Sequence, residues 1–203
     1  MARPRAADHH VQRAAIREHA VAAFARLGYA SASMADLANA CGISKATLYH
    51  YFDSKEVLLF ECLDDYTRRL LALTTRFSPE NQMQPQMRPN TEAKELLRDL
   101  IRELLREYAH SRNYHVSLLH DVKFLQAEQA AQIRHQEKQV VSHVADAIDA
   151  AFPGRINKTK RTPTTMALLG MINFTFAWLR PDGPMTYDEF ADIAIELWFA
   201  SLS

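Results

Sequence analysis

Two short stretches, Met34–Ala40 and Lys45–Tyr51, each follow a serine and are separated by Cys41–Gly42–Ile43–Ser44. Each is only about two helical turns long. Helices that short persist only when a neighbour buries one side of them. The pair and its glycine turn read as a helix-turn-helix. Ser33, with Asp36 three residues on, makes a capping box with Asp in place of the usual Glu or Gln, and Ser44 stands where it caps the second helix. Projected at about 100° per residue, Lys45, Ala46, Tyr49 and His50 share one face, and Leu48 and Phe52 fall opposite. Burying Leu48 and Phe52 thus turns a cation, a phenol and an imidazole outward. That set suits phosphate and base-edge contacts in a major groove. On an ordinary helical hairpin the same face would simply be solvated.

The rest of the chain carries helical periodicity as well. Ile16, Ala20, Phe24 and Leu27 recur at helical spacing within Val11–Leu27, and Gly28 follows as a terminator. Ser54 caps a helix running to about Phe77. Residues 78–90, with three prolines, read as a loop. Thr91 caps a helix whose stripe is Leu97, Leu100, Ile101, Leu104, Leu105 and Tyr108. Two more helices cover Tyr114–Leu125 and the stretch to Phe152, and Pro153–Gly154 with the basic run Lys158–Arg161 reads as loop. Thr164–Leu179 is apolar on nearly every side, which predicts burial on more than one face. Pro181–Pro184 is a turn, and Thr186 with Glu189 boxes a last helix whose face is Tyr187, Phe190, Ile193, Ala194, Leu197 and Trp198. With 5 Gly in 203 residues and no sustained β-alternation, the fold class is all-α. The length suits one to two domains with a proper core.

Net charge is zero, yet residues 1–55 hold seven basic side chains against four acidic ones. A mildly basic head on an acidic body hints at local anion binding. Cys41 and Cys62 are too few for a disulfide scaffold. With no signal peptide and no apolar run long enough to span a bilayer, a cytoplasmic protein with no membrane partner is expected. His110, His115 and His120 step by five and do not share a helical face, so no metal is expected. There is no G-x-S-x-G, G-x-G-x-x-G, Walker or H-E-x-x-H sequence, which argues against an enzyme and against a cofactor. A helical ligand carrier or enzyme without DNA binding remains the rival from another class.

The run Gly28-Tyr29, Ser33-Met34-Ala35-Asp36-Leu37-Ala38 and Gly42-Ile43-Ser44-Lys45-Ala46-Thr47-Leu48-Tyr49-His50-Tyr51-Phe52-Asp53-Ser54-Lys55-Glu56 resembles the DNA-binding domain of TetR-family transcriptional regulators. Ala46 departs from the glycine common there. The resemblance implies a homodimeric, ligand-responsive repressor on a palindromic double-stranded DNA operator. It implies a DNA-binding domain over 1–53 and a helical ligand-binding and dimerisation domain over 54–203. Carried over, Ser33 and Lys55 match phosphate-contacting positions, and Lys45, Thr47, Tyr49 and His50 match the recognition helix. The N-terminus of a helix capped by Ser33 or Ser44 also offers backbone N–H groups to phosphate. Met1–Ala7, with Arg3 and Arg5, reads as a disordered arm, either reaching DNA or without a role.

Trp178-Leu179-Arg180-Pro181-Asp182-Gly183-Pro184 is similar to a turn in a subgroup of that family responsive to acyl-CoA thioesters. An acyl- or aryl-acyl-CoA effector is the expectation that follows, with a multidrug-type sensor of hydrophobic cations as the alternative. Tyr114, Leu118, Phe124, Met171, Asn173, Phe174 and Trp178 are the candidate ligand-lining residues, weighed against plain core. Arg98, Arg102 and Arg106 share a face that suits either CoA phosphates or salt bridges with Glu95, Asp99 and Glu103. The last two helices would form the dimer contact, with Gly170 permitting close approach.

Overall fold

The periodicity resolves into α1 (Pro4–Leu27), α2 (Met34–Ala40), α3 (Lys45–Tyr51), α4 (Lys55–Thr75), α5 (Asn90–His110), α6 (Arg112–Asp121), α7 (Ala127–Ala151), α8 (Lys158–Asn173) and α9 (Tyr187–Ala200). Short 3₁₀ turns at Val122–Phe124 and Phe174–Ala177 follow α6 and α8. This computed structural model describes residues 4–78, 90–180 and 182–202, with side chains over 8–78, 91–180 and 182–202. Among the described residues there is no strand. The chain forms two compact units, Met1–Tyr66 with Asn113–Ile133 and Thr67–Arg112 with Arg134–Ser203.

In the first unit α1 packs on α2 and α2 on α3. Ile16, Ala20, Phe24, Leu37, Leu48, Phe52, Leu58, Leu59, Leu63 and Tyr66 are at most 1% exposed. This is the shared core that the two short helices require. Gly28 and Gly42 sit at φ +77° and +64°, in the left-handed region where a side chain is strained. They end α1 and turn α2 into α3. The expected boundaries of α2 and α3 match the structure. The arm does not: the backbone is helical from Pro4, and proline at a first helical position gives up an N–H that would have no intrahelical partner. Met1–Arg3 and the side chains of Arg5 and its neighbours lie outside the described residues.

In the second unit α5 packs on α8 and α9, and α8 on α9. The α5 stripe is buried as its spacing predicts, from Leu97 to Tyr108. Four expectations need correction. Thr91 is not a cap, because α5 already includes Asn90. The rest of the 78–90 loop, from residue 79, lies outside the described residues. Lys158–Arg161 is not loop but the start of α8, because Asn157 caps it by accepting from the Lys160 N–H at 2.9 Å. The all-apolar helix ends at Asn173 and buries one face, through Thr165, Leu168, Leu169 and Ile172. Met166 stays 50% exposed. The buried face of α9 is Phe190, Ala191, Ala194, Ile195, Trp198 and Phe199, while Ile193 and Leu197 point outward. An apolar helix with two usable faces does not announce which one its own chain covers.

Asp36 and Glu189 each close a capping box, bonding the hydroxyl and backbone N–H of Ser33 and Thr186. Ser33's hydroxyl chiefly, and Thr186's backbone N–H chiefly, hold these carboxyls below the usual range. A folded-state value below the unfolded one gives stability that is complete above the unfolded value and lost as pH falls through the folded one. The double variant Asp36→Asn, Glu189→Gln is therefore expected to show a shallower loss of stability below about pH 4. Urea unfolding across a pH series measures it.

Candidate functional site

The exposed face of α3 is assembled by its caps and its buried side. Ser44 accepts from the Thr47 N–H at 3.0 Å and shares a 2.8 Å hydroxyl–hydroxyl bond with Thr47 Oγ1. Leu48 and Phe52 are buried against the core. Lys45, Ala46, Thr47, Tyr49 and His50 are then all exposed, Tyr49 to 44%. The Lys45 ammonium lies 5.8 Å from the centre of the Tyr49 ring, which clusters cation and phenol on one patch. His50 lies edge-on to Tyr51, and the His9 ring of α1 sits 4.7 Å from Tyr51 and 6.3 Å from His50. The first helix thus borders this patch, which periodicity within α3 did not foretell.

Ser33 is exposed as the cap of α2. Lys55 is half-buried and works inward: its ammonium donates to the carbonyls of Tyr29 and Ala32, both at 2.8 Å, and lies 4.4 Å from the Tyr29 ring centre. An ammonium has three donors, so these bonds leave one for an outside acceptor. The head is also less basic than its sequence count. Arg13 pairs with Glu61, lies over the Phe52 ring and donates to the Tyr51 carbonyl; Arg17 pairs with Asp65 at 3.2 Å. The bond to Glu61 raises the Arg13 value further. Lys45 makes no ion pair among the described residues. These clamps were legible in principle, since Arg13 and Arg17 match Glu61 and Asp65 at the same spacing of four.

The candidate ligand residues divide between the units. Tyr114 and Leu118 are buried in the first unit, where Tyr114 stacks on Tyr66 and the neighbouring His115 bonds the Tyr66 hydroxyl at 3.0 Å. Phe124, also in the first unit, stacks on Tyr29. In the second unit Met171 and Asn173 are half-buried, whereas Phe174 and Trp178 are 61% and 49% exposed. Of the two readings of the α5 arginines, the ion pairs are present. Arg98 meets Glu95, Arg102 meets Asp99 and Asp192, and Arg106 meets Glu103 and Asp188. A cleft of about 480 Å³ between α4 and α5 has Arg69, Arg76, Arg106, Glu103 and Glu107 in its wall, where each arginine meets a glutamate. Burial pushes both thiols up, Cys62 furthest, which keeps them un-ionised. No group of three His, Cys, Asp or Glu among the described residues is arranged to hold a metal. No helix among them is long and apolar enough to cross a membrane.

Residues 16–62 match the family model for bacterial regulatory proteins of the tetR family, and residues 90–202 match the tetracyclin repressor-like C-terminal domain. Over 76 residues the chain is 41% identical to the uncharacterized HTH-type transcriptional regulator YuxN of Bacillus subtilis (strain 168). That match covers 35% of this chain and 26% of the relative. A TetR-family transcriptional regulator from Bordetella parapertussis 12822 is similar at 33% identity and a TM-score of 0.81, over 92% of this chain and 93% of that one. AibR, solved in complex with isovaleryl coenzyme A and operator DNA, is similar at 27% identity and a TM-score of 0.72, over 92% and 97% of the two chains.

The Arg13–Glu61 pair ties α1 to α4, with both side chains only 25% exposed. A double-mutant cycle of Arg13→Ala and Glu61→Ala is expected to give a coupling of about 1 kcal/mol in urea unfolding. Additive single effects would mean that the clamp contributes nothing.

Proposed function

Because the chain belongs to the TetR family of bacterial regulatory proteins, we propose that it is a ligand-responsive transcriptional repressor. As a homodimer it binds a palindromic operator, and a small effector releases it. The observation that carries this reading is the outward face of α3, where Lys45, Thr47, Tyr49 and His50 stand exposed on a helix anchored by Leu48 and Phe52. Residues 1–53 bind DNA in this reading, and residues 54–203 hold the effector and dimerise. Lys45, Thr47, Tyr49 and His50 enter the major groove, and Ser33, Ser44 and Lys55 meet phosphates. The remaining ammonium donor of Lys55 serves that role.

A seven-residue helix reaches only a few base pairs, so specificity needs two copies about one helical turn of DNA apart. The second unit offers a surface for the second copy. Met166, Ile193 and Leu197 are exposed apolar residues of α8 and α9. Among the described residues, nothing beyond the glycine's own stretch of helix lies within 4 Å of the point where a Cβ on Gly170 would stand, which leaves room there for a second copy. Tyr114, Leu118, Phe124, Met171, Asn173, Phe174 and Trp178 are the proposed effector contacts. An acyl- or aryl-acyl-CoA is the proposed effector class. Support comes from the Trp178–Pro184 turn and from the likeness to AibR, which was solved with isovaleryl coenzyme A. The effector need only bind the DNA-compatible and DNA-incompatible states unequally.

On a duplex selected by the wild-type protein, Tyr49→Ala is expected to cost about 1–3 kcal/mol of specific binding. Lys55→Ala should weaken all sequences alike and lower the salt slope by about one unit. Fluorescence anisotropy across a salt series reads both, and unchanged affinity in the two variants rejects the DNA reading. Leu197→Glu is expected to turn a sedimenting dimer into a monomer; a wild-type monomer at micromolar concentration rejects the interface. Among isovaleryl-CoA, longer and aromatic thioesters, the free acids and CoA, only thioesters should release the DNA. Release by a free acid or a cationic dye instead would replace the effector class.

A further inference from the structure

Helical spacing makes Tyr49 and His50 the neighbours of Ala46 on one face of α3, three and four residues further on. Lys45 stands beside it, with its ammonium 5.8 Å from the Tyr49 ring centre. All four residues are exposed. Lys45, Tyr49 and His50 carry long side chains with polar groups, whereas Ala46 ends in a methyl. The face therefore has a shallow apolar notch at its N-terminal end, with the Ala46 methyl as its floor. The adjoining Thr47 hydroxyl is already bonded to the Ser44 hydroxyl at 2.8 Å. Between Lys45 and Tyr49, then, the outward side chain has no polar atom to offer a base. Leu48 and Phe52 anchor the helix, so packing assigns the exposed Ala46 methyl no duty.

In a major groove, the N-terminal residues of a recognition helix lie against base edges. A methyl neither donates nor accepts a hydrogen bond. Set against a purine N7 or O6, or against an exocyclic amine, it strips water from a polar group and returns nothing, which is unfavourable. Thymine is the DNA base that presents an apolar group in that groove, its C5-methyl. We infer that Ala46 reads the C5-methyl of one thymine in each half-site. Ala46 is thus a specificity-determining residue in addition to Lys45, Thr47, Tyr49 and His50. This inference rests on the regulator reading above, and it adds the identity of one base in the operator. The contact is small, and its contribution is the burial of one methyl against another.

The test is a cycle between protein and base. A duplex selected from random DNA by the full wild-type chain is remade with each thymine replaced in turn by deoxyuridine, which lacks only the methyl. Each replacement is made in both half-sites together, and affinity is read by fluorescence anisotropy. At one position the wild type is expected to lose about fourfold per half-site, or about fifteenfold for the pair. In Ala46→Gly the loss at that position should fall to about twofold or less, while any loss at other thymines stays as in the wild type. Because the reading is a ratio within one variant, a general weakening of binding cancels. Ala46→Ser, a better helix former than glycine, gives the same reading if the seven-residue helix does not tolerate glycine. The inference is overturned if no thymine is sensitive in the wild type, or if the full loss persists in the variant that binds. Loss of all binding in both variants also overturns it, because Ala46 would then support the helix instead of reading a base. Failure of the wild type to select any duplex is a separate result, which removes the regulator reading itself.

Discussion

Two seven-residue helices cannot persist alone in water, because so few residues do not offset the cost of starting a helix. The first unit follows from that constraint. Leu37 of α2 and Leu48 of α3 are fully buried, in a unit where α1 packs on α2 and α2 on α3. Each serine cap accepts from one first-turn N–H of its helix, that of Asp36 or Thr47, and Gly42 makes the bend that lets both helices use one core. Once the inner side is committed, the outer side of α3 is free to carry groups with no structural duty. Lys45, Tyr49 and His50 stand there because Leu48 and Phe52 are needed inside.

Charge is distributed by the same logic. The arginines of α1 hold α4 through Glu61 and Asp65, and those of α5 hold α9 through Asp188 and Asp192. A guanidinium engaged in this way adds little to an outward field. The basic character of the head therefore falls on few groups, with Lys45 central among them. In the second unit, exposed Met166, Phe174, Trp178 and Leu197 are apolar surface of the kind a partner covers.

Much of the fold was legible because capping and periodicity are local. The ranges of α2 and α3, the boxes at Ser33 and Thr186, the terminator Gly28 and the stripe of α5 follow from residues within one or two turns of each other. The face of α3 followed too, since a helix that buries Leu48 and Phe52 has only one other side. The start of α8 was missed because a basic run resembles a loop until Asn157 is recognised as its cap. The face of α9 was misread because both of its sides are apolar.

The sequence by itself determined the all-helical class, the helix-turn-helix and its outward residues, through chemistry acting between neighbours in the chain. Tertiary structure decided the partners of groups distant in sequence. Lys55 could serve a phosphate or a pair of carbonyls, and only the approach of Tyr29 and Ala32 engages two of its donors. Phe124 could line a slot, and only the packing of Asn113–Ile133 with Met1–Tyr66 puts it over Tyr29. An ammonium or an aromatic ring is compatible with many partners, so its role is set by which one the fold brings within reach.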